Sequence, residues 1–449
     1  HGDFACPSAM RLAKVVGGAP LKIAEKIAEN LAKDFRIEKV EVAAPGFINI
    51  RIGSAFLQDE LKELESGFHV QRDAEPKKIL IEYSGTNAAK AMGVHHLITT
   101  ILGQTLANLF EFMGQEVIKI NHLGDWGTHF GKIIYAYENW GDKEAVQKNP
   151  TADLVKLYVR FNTEAEPNPE LDEAARKIFK SLEEGDAERL ALWQWIVNES
   201  VHDLEKVFKR LLVDFDHITG ESFYLKMSEQ VIADGIAKGL FVEGEGGSLI
   251  FNMGEELTPA LIRKGDGTTL YLTRDIATVK YRVDNFRPDE ILYVVDVAQS
   301  LHFVQDFKIS KALGYADGVK LEHVSFGRMS FAGEGISTRK GNVINVEEVL
   351  DEAAKRAGTL ATEKGTEMSE AEFKNLCEVV GTSSIKYGIL SQDRIKNLIF
   401  DWDKIITLEG NSAPYLLYSF ARAKSILEKA GNPPLDGLPK LSENVEFDI

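Results

Sequence analysis

The chain has 449 residues, of which 44% are hydrophobic, 9% aromatic and 27% charged. That excludes bulk disorder and supplies apolar material for a sizeable core, about three domains by length. With 52 Lys and Arg against 69 Asp and Glu the net charge is −17, which excludes coating nucleic acid through bulk charge but not gripping one RNA with local basic patches.

Cys6 and Cys377 are the only cysteines. Neither belongs to a Cys/His cluster, so neither a disulfide framework nor a structural zinc site is expected, and a reducing cytoplasmic setting fits. No apolar run reaches membrane-spanning length. The opening HGDFACPSAM lacks the basic and apolar regions of a secretory signal. Because the chain starts at His1 rather than Met and has no clear stop, both ends are expected to be incomplete.

In chain order, residues 1–76 read as a small α+β unit. Segments 9–16 and 21–35 carry apolar residues at helical spacing (Ile23, Ile27, Leu31), and the alternating GFINIRI at 46–52 reads as a strand. The stretch 73–78, DAEPKK, reads as a linker. An apolar strand at 79–83 then leads through a polar loop into a helix over 95–113, followed by a strand at 116–123. Strand, helix and strand in close succession imply a parallel βαβ unit. A second such series comprises strands at 269–272, 291–297 and 320–326, with helices from Arg274 and Leu301 between them. The acidic, largely helical segment of about 141–265 reads as an insertion splitting a doubly wound sheet. From Val346 onward the pattern is helical.

Five stretches carry chemistry. EYSGTNAAKAMGVHH (82–96) is a loop at the carboxyl end of a parallel strand that opens a helix, where doubly wound sheets bind ligands and helix amides attract phosphate. Taken by itself, it is equally a helix start with two exposed histidines. NHLGDWG (121–127) places two glycines around Asp-Trp, which implies a tight turn and a close backbone approach. TTLYLTRD (268–275) sets Tyr271 and Asp275 at i, i+4 spacing, and VAQSLH (297–302) lies at another strand-to-helix junction. A carboxylate, a phenol and an amide at strand ends suit a guanidinium, although each alone also fits a helix cap or a satisfied core polar group. GISTRKGN (335–342) suits a mobile phosphate clamp, or else a solvated basic turn.

In order and spacing these stretches resemble the arginyl-tRNA synthetases of class I, from residue 2 to about 430. The resemblance implies an α/β fold: a Rossmann-type doubly wound parallel sheet split by a helical insertion, with a small N-terminal α+β domain and a helical C-terminal region. It implies a tRNA-elbow-contacting domain at 1–76 and a catalytic domain at 77–345. A stem-contact region at 346–410 and the start of an anticodon-binding domain at 411–449 would follow. By position, Glu82, Ser84, Asn87, Tyr271, Asp275 and Gln299 match the family's arginine pocket. Gly93, His95, His96, Ser337, Thr338, Arg339 and Lys340 match its ATP site, and Lys90, His95, His96 and Lys340 the groups that carry activation. The implied substrates are ATP (with Mg²⁺ arriving on the nucleotide), L-arginine and arginine tRNA, handled by a monomer that needs tRNA even for the first step.

Three departures stand out. Thr338 replaces the second lysine of the KMSKS loop, a change for which Lys90 compensates in this family. His129 and Ile98 stand where Gln and Arg are usual. Most seriously, the family's His-x-Gly-His is Gly93-Val94-His95-His96, with an imidazole where a glycine lets adenine lie against the backbone. Either His95 replaces the missing imidazole in a shifted loop, or activation is impaired and the chain is a paralogue that binds arginine or tRNA as a sensor or assembly factor. A cysteinyl-type ligase is disfavoured by the lack of zinc-ligand cysteines and by the Glu82/Asp275 pair.

Overall fold

Ile79, Leu80 and Ile81 are each at most 2% exposed, so both faces of their strand are covered, as the centre of a parallel α/β sheet requires. The structure is a computed structural model that describes residues 2–65, 75–255, 257–331, 345–363 and 368–431. The chain divides into two compact units, residues 1–71 with 424–449, and residues 72–423.

In the first unit β1 (Phe4–Cys6), β3 (Phe47–Ile52) and β2 (Ile37–Ala43) form an antiparallel sheet in the order β1-β3-β2. Helices α1 (Ser8–Val16) and α2 (Pro20–Leu31) close a small core around Ala9, Ala24 and Ile48. Helix α3 (Ser54–Glu65) follows. The GFINIRI strand is the middle one, and the two strands beside it were not marked by the sequence pattern.

The second unit opens with β4 (Lys78–Glu82), α4 (His95–Phe112), β5 (Glu116–Leu123) and α5 (Thr128–Trp140). Four helices follow: α6 (Lys143–Lys148), α7 (Pro150–Ala165), α8 (Pro169–Glu183) and α9 (Ala187–Arg210). Asp142, Asn168 and Asp186 cap α6, α8 and α9 by accepting from first-turn amides. Next come β6 (His217–Gly220), α10 (Glu221–Ala237) and a small antiparallel sheet of β7 (Phe241–Glu243), β8 (Leu249–Phe251) and β9 (Ala260–Arg263). Helix α11 (Tyr271–Phe286), β10 (Glu290–Tyr293), α12 (Ser300–Ala312) and β11 (Lys320–His323) complete the second series.

The main sheet is five-stranded and parallel, in the order β11-β10-β4-β5-β6. From β4 the chain builds outward through β5 to β6, then returns to β10 on the other side. The switch point therefore lies between the carboxyl ends of β4 and β10, where open α/β sheets bind ligands.

Three expectations need correction. The supposed insertion over 141–265 contains β6, a fifth strand of the main sheet that is too short and polar (HITG) to show an apolar signature. Residues 269–272 are not a strand of that sheet. Thr269 makes one bridge to Arg263, and α11 begins at Tyr271, so Tyr271 and Asp275 stand one turn apart on a helix. Likewise the region after Val346 is not helical throughout. Beyond α13 (Val346–Glu363) and α14 (Glu370–Leu390), strand β13 (Leu398–Phe400) pairs in parallel with β12 (Met329–Phe331). Helices α15 (Trp402–Ile405) and α16 (Ala413–Lys429) follow. No described helix is long and apolar enough to cross a membrane.

Helices α5 and α8 meet with their backbones nearly touching. A Cβ on Gly131 would lie 2.1 Å from the Ala175 carbonyl oxygen. Gly131→Ala should therefore force the two helices apart and cost about 1–3 kcal/mol. Urea unfolding is the check, and an unchanged midpoint would contradict this account of the contact.

Candidate active site

After β4 the chain turns sharply. Ser84 (φ 74°) and Gly85 (φ 57°) are both left-handed, a conformation that costs Ser energy and persists only where surroundings fix it. Here the Ser84 amide donates to Thr99 Oγ1 (3.1 Å), whose hydroxyl donates to the Val294 carbonyl beyond β10 (2.6 Å). Thr100 donates to Ser84 Oγ at 3.1 Å. Ser84 is thus buried and tied to α4. Asn87 bridges to Gly124, where a Cβ would lie 2.4 Å from Asn87 Oδ1. The close approach implied by the NHLGDWG glycines is therefore to the 82–96 loop.

The loop ends at the N-terminus of α4. Gly93 is buried and bridges to Asn345, and His95 is the exposed first residue of the helix. Its ring lies 3.9 Å from that of His96. Partial burial lowers the His95 pKa against the pull of Asp296. His96 is buried, and burial, with help from His95 and Lys90, pushes its pKa down to about 3. Its Nδ1 has no partner among the described residues. It is therefore a neutral hydrogen-bonding group near neutral pH and not a cation for phosphate. Burial and Lys90 also push His129 down to about 4. The Lys90 ammonium lies 5.7 Å from the centre of the Tyr158 ring, and Lys90 borders a cavity of about 400 Å³ together with Lys206, Asp203 and Asn149. Ser337, Thr338, Arg339 and Lys340 lie outside the described residues.

At the switch point itself the charges are unevenly matched. Glu82, ending β4, is ion-paired with Arg282 of α11, whose side chain is fully buried. A guanidinium cannot shed its proton, so Arg282, lying against the Tyr293 ring (5.4 Å), needs that carboxylate. Asp275 instead meets His302 Nε2 at 2.7 Å. Asp306, on α12, is completely buried; burial and the Asp275 charge push its pKa up to about 7. Its Oδ2 has no partner among the described residues. Glu221 pairs with Arg274 at 3.2 Å, yet burial, together with the Asp275 and Asp125 charges, also lifts it to about 7.

Tyr271 is exposed, with the Arg274 guanidinium 4.6 Å from its ring centre. A Cβ on Gly127 would be 4.0 Å from its hydroxyl, so the NHLGDWG turn and the start of α11 are neighbours. Gln299 is exposed at the end of a 3-10 turn (Val297–Gln299) leading into α12. Asp125 accepts from the amide and hydroxyl of Ser222 at 2.8 and 2.6 Å, and its carbonyl accepts from Trp193. With Trp193 it borders a further cavity of about 440 Å³.

Residues 61–402 match the family model for class I tRNA synthetases (R), catalytic domain, and residues 1–52 that for the arginyl tRNA synthetase N-terminal domain. The chain belongs to the arginyl-tRNA synthetases. It is 41% identical to the arginine–tRNA ligase of Fusobacterium nucleatum over 99% of its own length and 78% of that protein. For the arginine–tRNA ligase of Alkaliphilus metalliredigens the figures are 40%, 96% and 76%. Among solved structures, the arginyl-tRNA synthetase of Plasmodium falciparum superposes with a TM-score of 0.78 at 23% identity, covering all of this chain and 79% of the other. That of Thermus thermophilus superposes at 0.73 and 22%, covering all of this chain and 80% of the other. These two likenesses bear on the fold.

In this synthetase, sequence reasoning missed Glu221, Arg282 and Asp306. One signal was available. Arg282 continues the buried stripe Leu272, Ile276 and Val279 on α11, and Asp306 falls between buried Phe303 and Ile309 on α12. A charge on the core stripe of a helix needs a partner.

Proposed function

We propose that this synthetase activates arginine with ATP and transfers it to the 3′ end of arginine tRNA, using the crevice at the ends of β4, α11 and α12. The arginine carboxylate would attack the α-phosphorus of ATP in line, giving arginyl-adenylate and pyrophosphate. The terminal ribose hydroxyl of the tRNA would then take the arginyl group. One observation supports the substrate above the rest. With Glu82 set against Arg282 and Glu221 against Arg274, the described residues of the crevice leave Asp275 and Asp306 facing His302. Asp306, with a pKa near 7, is a carboxyl placed to ionise when a cation arrives. A guanidinium fits that deficit and the fork geometry of Asp275.

In this reading Asp275 holds the guanidinium while Tyr271, Asn87 and Gln299 orient the substrate. Ser84, sealed against Thr100, shapes the loop. Lys90 and the amides opening α4 receive the triphosphate, with His96 as a neutral donor or acceptor. Ser337 to Lys340 complete the clamp. No protein nucleophile is needed; positioning and charge neutralisation carry the chemistry. Mg²⁺ is assigned to the nucleotide. A monomer working in the cytoplasm, with residues 1–76 touching the tRNA elbow, belongs to the same proposal.

His95 decides between this reading and the impaired paralogue that the exchanged Gly93/His95 pair favours. At the exposed start of α4 its ring can turn towards phosphate. Arginine- and tRNA-dependent pyrophosphate exchange should proceed with the wild type and slow about tenfold in His95→Gly, a loss of about 1.4 kcal/mol. An inactive wild type whose Gly93→His, His95→Gly double variant is active would overturn the proposal.

A further inference from the structure

His302 stands between carboxyls from two helices. Its Nε2 is 2.7 Å from Asp275 Oδ2 on α11. One turn along its own helix lies Asp306, whose Oδ1 accepts from Ser310 Oγ at 3.0 Å while Oδ2 is buried without a partner among the described residues. The other charged or titratable groups facing this pair are few. Glu82 of β4 and Arg282 of α11 are bound to each other. Tyr293 of β10 is buried, and His323 of β11 lies across the Phe303 ring (4.5 Å) and donates from Nε2 to the Val295 carbonyl (2.9 Å). On the far side of Asp275, Glu221 of α10 is paired with Arg274. With those pairs set aside, among the described residues Asp275 and Asp306 have His302 to balance them.

We infer that in the empty pocket His302 and Asp306 hold the protons that balance Asp275, and that an arginine guanidinium docking on Asp275 expels one of them. This inference rests on the arginine pocket proposed above and adds to it a proton-linked counter-ion device. The two residues are positioning residues and do not touch the reacting atoms.

The direction follows from electrostatics. Burial alone would lower the His302 pKa, but the bond to Asp275 and the charges of Asp275, Asp306 and Glu82 raise it overall. Burial and Asp275 bring Asp306 to about 7. A permanent cation at Asp275 reverses both pulls: it repels the imidazolium and favours ionised Asp306. Each change releases a proton. The empty pocket therefore binds more protons than the filled one, so acid favours the empty pocket and arginine affinity rises with pH through neutrality. A group with a pKa near 7 is half-protonated there, so release should be on the order of half a proton per arginine.

The test is calorimetric titration of arginine into the full chain near neutral pH, in phosphate and in Tris, which differ in ionisation enthalpy. The apparent enthalpy should differ between buffers by the amount that on the order of half a released proton requires. The His302→Gln, Asp306→Asn double variant should bind arginine with a clearly smaller buffer dependence, since among the described residues only Glu221, which also feels the Asp275 charge, is left to respond. A wild type whose enthalpy is the same in both buffers overturns the inference, and so does release that is undiminished in the double variant. Should that variant fail to fold, the pH dependence of wild-type affinity decides, and a flat profile from acid to mildly alkaline pH is the overturning result. Asp275→Asn separates the two levels. If it weakens arginine binding while the wild type releases no proton, the pocket stands and the proton device falls; if it leaves binding untouched, both fall.

Discussion

Glu82→Gln should destabilise the fold by about 3–5 kcal/mol, the usual result of removing one partner from a buried ion pair. Arg282 has no exposed surface and stays charged at any accessible pH. Without Glu82 its charge would face the Tyr293 ring and the sheet interior uncompensated, and Gln offers an amide oxygen but no charge. Asp306 supplies an internal control. Its folded pKa of about 7 lies above its ordinary 3.8. That contribution to stability is therefore complete below the ordinary value and is lost as pH rises through the folded one. Arg282 already pulls the Asp306 pKa down, though less than burial and Asp275 push it up. With Glu82 gone, the uncompensated charge of Arg282 should pull harder, so the fall in stability between mildly acid and neutral pH should be shallower in Glu82→Gln than in the wild type. Denaturant unfolding at two pH values measures both effects. A variant as stable as the wild type would show that Glu82 is available for a ligand after all.

That distinction marks where the sequence was legible and where it was not. The centre of the sheet could be read because Ile79–Ile81 form an unbroken apolar run, and β3 because its residues alternate. The edge strand β6 could not, since four residues with no apolar pattern carry no signal until β5 pairs with them. The TTLYLT stretch misled because its alternation suits a strand, yet the first turn of α11 claims Tyr271 onward, with Leu270 extended just before it. In the candidate site, the loop and turn motifs lie side by side, Asn87 against Gly124 and Tyr271 near Gly127. What a single sequence could not supply was the pairing across elements: Arg282 against Glu82, His302 against Asp275. Each partner lies far away in the chain, and a helical Arg or Asp looks solvated until the fold shows which face is covered.

Asp275→Asn should weaken arginine binding roughly tenfold to hundredfold and leave ATP affinity nearly unchanged. A hydrogen bond to a charged partner is worth about 1.5–3 kcal/mol, which corresponds to that range of dissociation constants. Asn keeps the size and one acceptor but not the charge, and two of the neighbouring carboxyls are already paired, Glu82 with Arg282 and Glu221 with Arg274. The ATP side of the crevice, at Lys90 and the start of α4, makes no described contact with Asp275, so nucleotide binding should be spared. The substitution also removes the charge, and with it the charge-assisted bond, that hold the His302 pKa up. Burial then dominates, so the His302 proton should be lost at lower pH, which NMR titration of the imidazole can follow. Calorimetry with arginine and with an ATP analogue separates the two substrates. Unchanged arginine affinity would remove Asp275 from the pocket. Equal losses for both ligands would mean that the substitution disturbs the whole crevice and that Asp275 is not selective for the guanidinium.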